Sequence, residues 1–231
     1  MPASNWLEFW DAEHLIYVND VHEAAHCRRT ALGIKAYAPP GGTMLDYGCG
    51  EALAADLYAE PTDRLFLCES APNKRLRLAV RFADNGKIVV RRPEDIETMP
   101  DRAFDVIVLH SVAQYLKPAD FEAMLKMFRK LLKPGGLLVV GDVIPKRQAA
   151  IADALALLRF GWREGFFFAA LRGLVLTYFS DYRQLRKDLG IAQYDKDEML
   201  AKLEAAGFSS ELAGSNIGHI AKRMTFLARV R

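Results

Sequence analysis

Between positions 43 and 142, five short apolar runs alternate with stretches of helical periodicity. The runs fall at 43–47, 65–68, 87–91, 104–110 and 137–142. Helical patterns lie between them: one after a turn at 48–50 and ending at 59, one at 72–82 and one at 118–132. Strands alternating with helices at this rhythm form βαβ units, and these build a parallel sheet. The fourth and fifth runs are almost wholly apolar, as strands are when helices cover both faces. With 231 residues and 51% hydrophobic positions, the chain can bury one substantial core.

The flanks read differently. Residues 4–38 have helical spacing as far as Pro39-Pro40-Gly41-Gly42, which stops any helix. Residues 147–190 are helical, aromatic and basic, with no strand signal. A helix at 197–206 ends at Gly207, and 223–230 alternates as a last strand. One domain is expected: an N-terminal helical lid (1–39), an α/β core (40–145), a helical insert capping the substrate side (146–194), and a closing helix and strand hairpin (195–231).

The segment Leu45-Asp46-Tyr47-Gly48-Cys49-Gly50-Glu51-Ala52-Leu53 joins the first strand to the next helix. Glycine lets backbone approach a ligand closely because no side chain intervenes, and a helix start beyond it offers free N–H groups. A dinucleotide fingerprint needs a third glycine where Leu53 stands. An oxidoreductase of that kind is therefore the weaker alternative, beside a partner protein that shares the fold without turnover.

Asp46-Tyr47-Gly48-Cys49-Gly50 resembles the first motif of class I S-adenosylmethionine (SAM)-dependent methyltransferases, acid-x-Gly-x-Gly. Glu69, 21 residues after Gly48, resembles that family's acid at the end of the second strand, which binds the ribose hydroxyls. Glu94 and Asp95 match the adenine-side turn, although Arg92 stands where an aspartate is common. His110 and Ser111 fall in the loop beside the methyl donor. Leu132-Lys133-Pro134-Gly135-Gly136 resembles the turn before strand five, and Leu203-Glu204-Ala205-Ala206-Gly207-Phe208 the last helix. The resemblance implies a seven-stranded Rossmann-like sheet, mostly parallel with an antiparallel last strand, plus N-terminal helices and a helical insert after strand five. It also implies SAM as cofactor, with Asp46, Gly48, Cys49, Gly50, Glu69, Glu94, Asp95, His110 and Ser111 around it, and methyl transfer to a small, hydrophobic or aromatic molecule.

For a hydroxyl acceptor, histidine is the natural proton acceptor; His110, His22 and His26 are the candidates. His22-Glu23-Ala24-Ala25-His26 also matches a zinc-protease pattern, but Arg29 and Leu32 stand where its longer form needs glycine and a third histidine. No metal is expected. Tyr17, Tyr115, Phe167 and Arg172 are candidates for holding the acceptor. Cys27, Cys49 and Cys68 lack paired spacing, and the N-terminus lacks a basic, apolar leader, so a reduced cytoplasmic setting is expected. A net charge of +2 gives no argument for nucleic acid. Residues 146–187 hold eight basic and three acidic residues, and their apolar run is too short to span a bilayer, which leaves peripheral membrane contact open.

Overall fold

The computed structural model describes residues 5–11, 17–146, 150–178 and 190–231. Seven strands form one sheet: β1 (Thr43–Tyr47), β2 (Arg64–Cys68), β3 (Ile88–Arg91), β4 (Phe104–His110), β5 (Leu132–Val143), β6 (Phe208–Leu212) and β7 (Met224–Val230). Their order is β3-β2-β1-β4-β5-β7-β6. Only β7 runs against its neighbours, pairing antiparallel with both β5 and β6. The order reverses between β1 and β4, and in open α/β sheets ligands bind at the carboxyl ends of the strands beside such a reversal. Sheet and fold class match expectation; β6, given no position by the sequence, fills the outer edge.

Alternation along each strand sorts the core. Leu45, Phe66, Ile107, Leu109, Leu138 and Val140 face one layer, formed by helices α5 (Pro93–Glu97), α6 (Pro118–Leu131) and α9 (Lys196–Ala205). Met44, Leu65, Leu67, Val106, Val108 and Val139 face the other, formed by α2 (Asp20–Lys35), α3 (Asp56–Ala59) and α4 (Pro72–Arg81). Helices α7 (Ala150–Glu164) and α8 (Phe167–Tyr178) pair as a hairpin. A Cβ on Gly161 would lie 3.1 Å from both Ala170 Cβ and Phe167 Cα, so the missing side chain lets α7 and α8 approach closely.

Three expectations are corrected. The helical spacing read without a break over 4–38 is interrupted: its described residues hold two N-terminal helices, α1 (Trp6–Asp11) and α2. Asn19 is extended and its side chain accepts from His22 N–H, so it caps a fresh helix start. The helix after the glycine turn is only the four residues of α3, because Ala52 takes a left-handed φ of 43° and turns the chain. Strand β5 begins at Leu132, which pairs with Phe104; pairing resumes at Val106 with Leu137 after the Lys133–Gly136 irregularity.

Candidate active site

The turn after β1 is built on backbone. Gly48 and Gly50 have φ of 76° and 61°, which glycine alone adopts without strain. Gly48 N–H and Cys49 N–H both donate to Cys68 O, at 2.8 and 3.1 Å, fastening the turn to the end of β2. Glu69 is buried; its Oε2 accepts from Gly50 N–H at 2.8 Å and its Oε1 from Ala71 N–H at 2.9 Å. Each carboxylate oxygen keeps acceptor capacity for a hydroxyl. A Cβ on Gly50 would meet nothing within 4 Å, so space lies open in front of the turn. A turn without side chains beside a carboxylate fits an adenosine ribose.

Asp46 is buried beneath this turn and accepts a 2.7 Å hydrogen bond from Tyr58 O–H. Burial pushes its carboxyl up to about 7, against the pull of Tyr58. Burial likewise raises the Cys49 thiol, so it is no thiolate nucleophile. After β3, Asp95 accepts from Arg92 Nε at 3.0 Å, and Glu94 lies 3.8 Å from the same atom. Both acids of this turn are thus drawn to Arg92.

The tips of β4 and β5 carry two strained residues, Ser111 (φ 56°) and Asp142 (φ 63°). Ser111 Oγ donates to Asp142 Oδ2 at 2.7 Å, and Arg223 pairs with the same oxygen. Asn216 Nδ2 donates to Asp142 Oδ1 at 3.3 Å, while Asp142 N–H and Thr225 O–H donate to Asn216 Oδ1 at 3.2 and 2.8 Å. Burial resists ionisation of Asp142, but Arg223, His110, Ser111 and Asn216 outweigh it and hold the carboxyl below its ordinary value. Left-handed conformations of non-glycine residues cost about 1–3 kcal/mol each and persist where surroundings over-determine them, as this network does. Sequence reasoning missed Asp142, Asn216 and Arg223 as a unit, since the partners lie 74 and 81 positions from Asp142.

Three imidazoles meet nearby. His22 and His26 of α2 come together with His219 from the β6–β7 loop, ring centroids 5.5 to 6.3 Å apart. His22 stacks on Phe166 at 4.7 Å and His219 on Phe160 at 4.5 Å. His22 Nδ1 accepts from Val18 N–H at 3.3 Å, so its neutral form carries the proton on Nε2, a buried atom with no partner among the described residues. Burial lowers His22 to about 4, His26 to about 3 and His219 to about 4. His110 is lowered too, by burial, and is close enough to depress His26 further. Tyr17 packs 5.3 Å from His22 and 5.4 Å from His26. Among the described residues no group of three His, Cys, Asp or Glu is arranged to hold a metal ion.

Helix α1 bridges the loop after β4 and the start of α4. Trp6 and Trp10 lie 4.7 and 5.4 Å from Tyr115. Asp11 accepts from Asn73 N–H at 2.7 Å, and Lys74 sits 4.9 Å over the Trp10 ring. Of the other acceptor candidates, Phe167 packs against Trp162 and Phe168, and Arg172 is exposed on α8; the residue that reaches the imidazoles is Phe166.

A methyltransferase-domain family matches residues 45–140. The chain is 30% identical over 122 residues to a carboxy-S-adenosyl-L-methionine synthase of Aliivibrio fischeri, covering 49% of this chain and 50% of that protein. It is 26% identical over 131 residues to a ubiquinone biosynthesis O-methyltransferase of Chelativorans, covering 56% and 50%. The chain thus spans half the length of these two relatives, and only 1–3% of larger synthases that also match. A DhpI–SAH complex superposes with a TM-score of 0.60 at 14% identity, covering 96% of this chain and 93% of that one, which bears on the fold alone. With the glycine turn, the acid after β2 and the seven-stranded order in place, residues 45–140 form a methyltransferase domain of the class I SAM-dependent type, whose cofactor is S-adenosylmethionine.

Proposed function

We propose that this protein transfers the methyl group of SAM to the hydroxyl of a small apolar or aromatic molecule. The observation that carries this reading is the cluster of His22, which is buried, with the half-buried His26 and His219, walled by Phe160, Phe166 and Tyr17. When bound, SAM supplies an electrophilic methyl on a positively charged sulfur. Glu69 holds the ribose hydroxyls, and the Gly48–Gly50 backbone seats the remainder of the nucleoside. Aromatic walls bind the acceptor ring and exclude water. His22, with Nδ1 occupied by Val18 N–H, donates from Nε2 and orients the acceptor oxygen. His26 takes the hydroxyl proton; Tyr17 and Tyr115 border the acceptor space.

Imidazoles held down by burial to about 3–4 are unprotonated at neutral pH, and they are weak bases. Such a base suits an acidic hydroxyl, a phenol or enol, better than an aliphatic alcohol. Likeness to an O-methyltransferase supports an oxygen acceptor.

Calorimetric titration with S-adenosylhomocysteine (SAH) tests the cofactor half. We expect micromolar binding, weakened about 100-fold in Glu69→Ala by loss of charge-assisted hydrogen bonds; no binding by the wild type sinks the reading. For the acceptor half, turnover is compared across phenols and aliphatic alcohols. His26→Asn should lower kcat by about 10²–10⁴ while leaving SAH affinity intact. Unchanged turnover would remove His26 from the mechanism.

A further inference from the structure

The outer face of the α7–α8 hairpin has a composition that the site does not use. On α7, Leu155, Arg159, Trp162 and Arg163 follow helical spacing and are exposed; on α8, Phe168, Leu171, Arg172 and Val175 do the same. Trp162 is 75% and Phe168 84% exposed. The inner face is already packed: Phe160, Phe166 and Ala170 form their own cluster against Val18 and Ala25. A Cβ on Gly173 would lie 2.1 Å from Val18 Cγ1, so α8 sits tightly on the segment before α2. Large aromatic side chains therefore point outward because the inward positions are filled, and a contiguous exposed apolar face marks an interaction surface.

We propose that this face docks the protein on an anionic phospholipid surface. Charge identifies the partner: Arg159, Arg163 and Arg172 interleave with the apolar residues and form no ion pair among the described residues, and Glu164 is the one exposed acid on the two outer faces. A second copy of the chain is a poorer fit, because a two-fold contact presents the same patch on both sides and sets these arginines against their own counterparts. A helix pair with aromatic residues on one face and arginines along it lies in the plane of the interface, rings in the acyl boundary and guanidiniums at the headgroups. No described helix is long and apolar enough to cross a membrane, so the docking is peripheral. The opposite face of the same hairpin carries Phe160 and Phe166, which stack on His219 and His22, so docking would hold the imidazole cluster one helix layer from the lipid.

Co-sedimentation with vesicles of phosphatidylcholine alone, or mixed with phosphatidylglycerol, tests the proposal. We expect binding to the mixed vesicles at low salt, declining as salt rises, and little binding to phosphatidylcholine alone. Arg159→Glu with Arg163→Glu should weaken partitioning by about 30-fold or more, and Trp162→Ser with Phe168→Ser should abolish it. Both pairs are exposed, and unchanged SAH affinity would show that the core is intact. Absence of binding to anionic vesicles overturns the proposal. So does binding that neither pair alters, or self-association that the serine pair removes without any lipid binding. SAH titration of the wild type reports separately on the methyltransferase reading.

Discussion

A Cβ on Gly48 would stand 2.5 Å from Val112 Cγ2, in a backbone at φ 76°. Gly48→Ala therefore combines a clash with left-handed strain, and we expect a loss of about 2–4 kcal/mol in urea denaturation, with weaker SAH binding. The Asp142–Arg223 pair is the second residue-scale device. Both groups are largely buried, so removing one leaves the other as an uncompensated charge. Arg223→Met should cost about 3–5 kcal/mol, and adding Asp142→Asn should restore much of it. If the double variant is no better than the single one, the charge is not the cause. Sequence pattern marked Gly48 because glycine next to a strand end has a local conformational meaning. Nothing local marked Asp142, which reads as one more residue of an apolar strand until Arg223 reaches it.

At the scale of elements, α2 carries both His22 and His26, and its start depends on the Asn19 cap. Asn19 Oδ1 accepts from His22 N–H at 2.9 Å, so Asn19→Ala leaves that donor unsatisfied at the helix end. The expected cost is about 1 kcal/mol, a drop of about 2–4 °C in Tm by scanning calorimetry. No change would mean that the fold, not the cap, sets where α2 begins. Helical periodicity ran from 4 to 38 without a visible break, since an Asn-Asp pair is a weak stop compared with Pro-Pro-Gly-Gly. Likewise Ala52 gave no sign of a left-handed turn, because alanine is an ordinary helix former.

At the scale of the whole molecule, the imidazole cluster ties three parts together: α2, the α7–α8 hairpin and the β6–β7 loop. Its titration is accordingly a property of the fold. In the unfolded chain each histidine binds a proton near 6.5; folded, they stay neutral down to about 3–4. The unfolded state then holds more protons between those values, so stability is full above 6.5 and falls as pH drops toward 4. Each histidine contributes up to about 1.4 kcal/mol per pH unit. Asp46 acts oppositely: raised from 3.8 to about 7, it adds stability that is lost as pH rises through that range. With three groups against one, net acid destabilisation is expected. His219→Phe, keeping the stack on Phe160, should flatten the slope of denaturation midpoint against pH; an unaltered slope would show that His219 titrates normally.

What the sequence by itself determined was local in origin. Apolar runs alternating with helical periodicity set the strands, Gly48 and Gly50 set the turn, and resemblance to the family's acid after the second strand marked Glu69. Tertiary structure decided every pairing across long separations: Asp142 with Arg223, His219 with His22 and His26, Trp6 and Trp10 with Tyr115. It also decided which Phe of three turns inward. Helix α8 is apolar around most of its circumference, and periodicity assigns a face only where polar and apolar residues separate. Packing against Val18 and α7 made that choice, placing Phe166 on the imidazoles and Phe168 toward solvent.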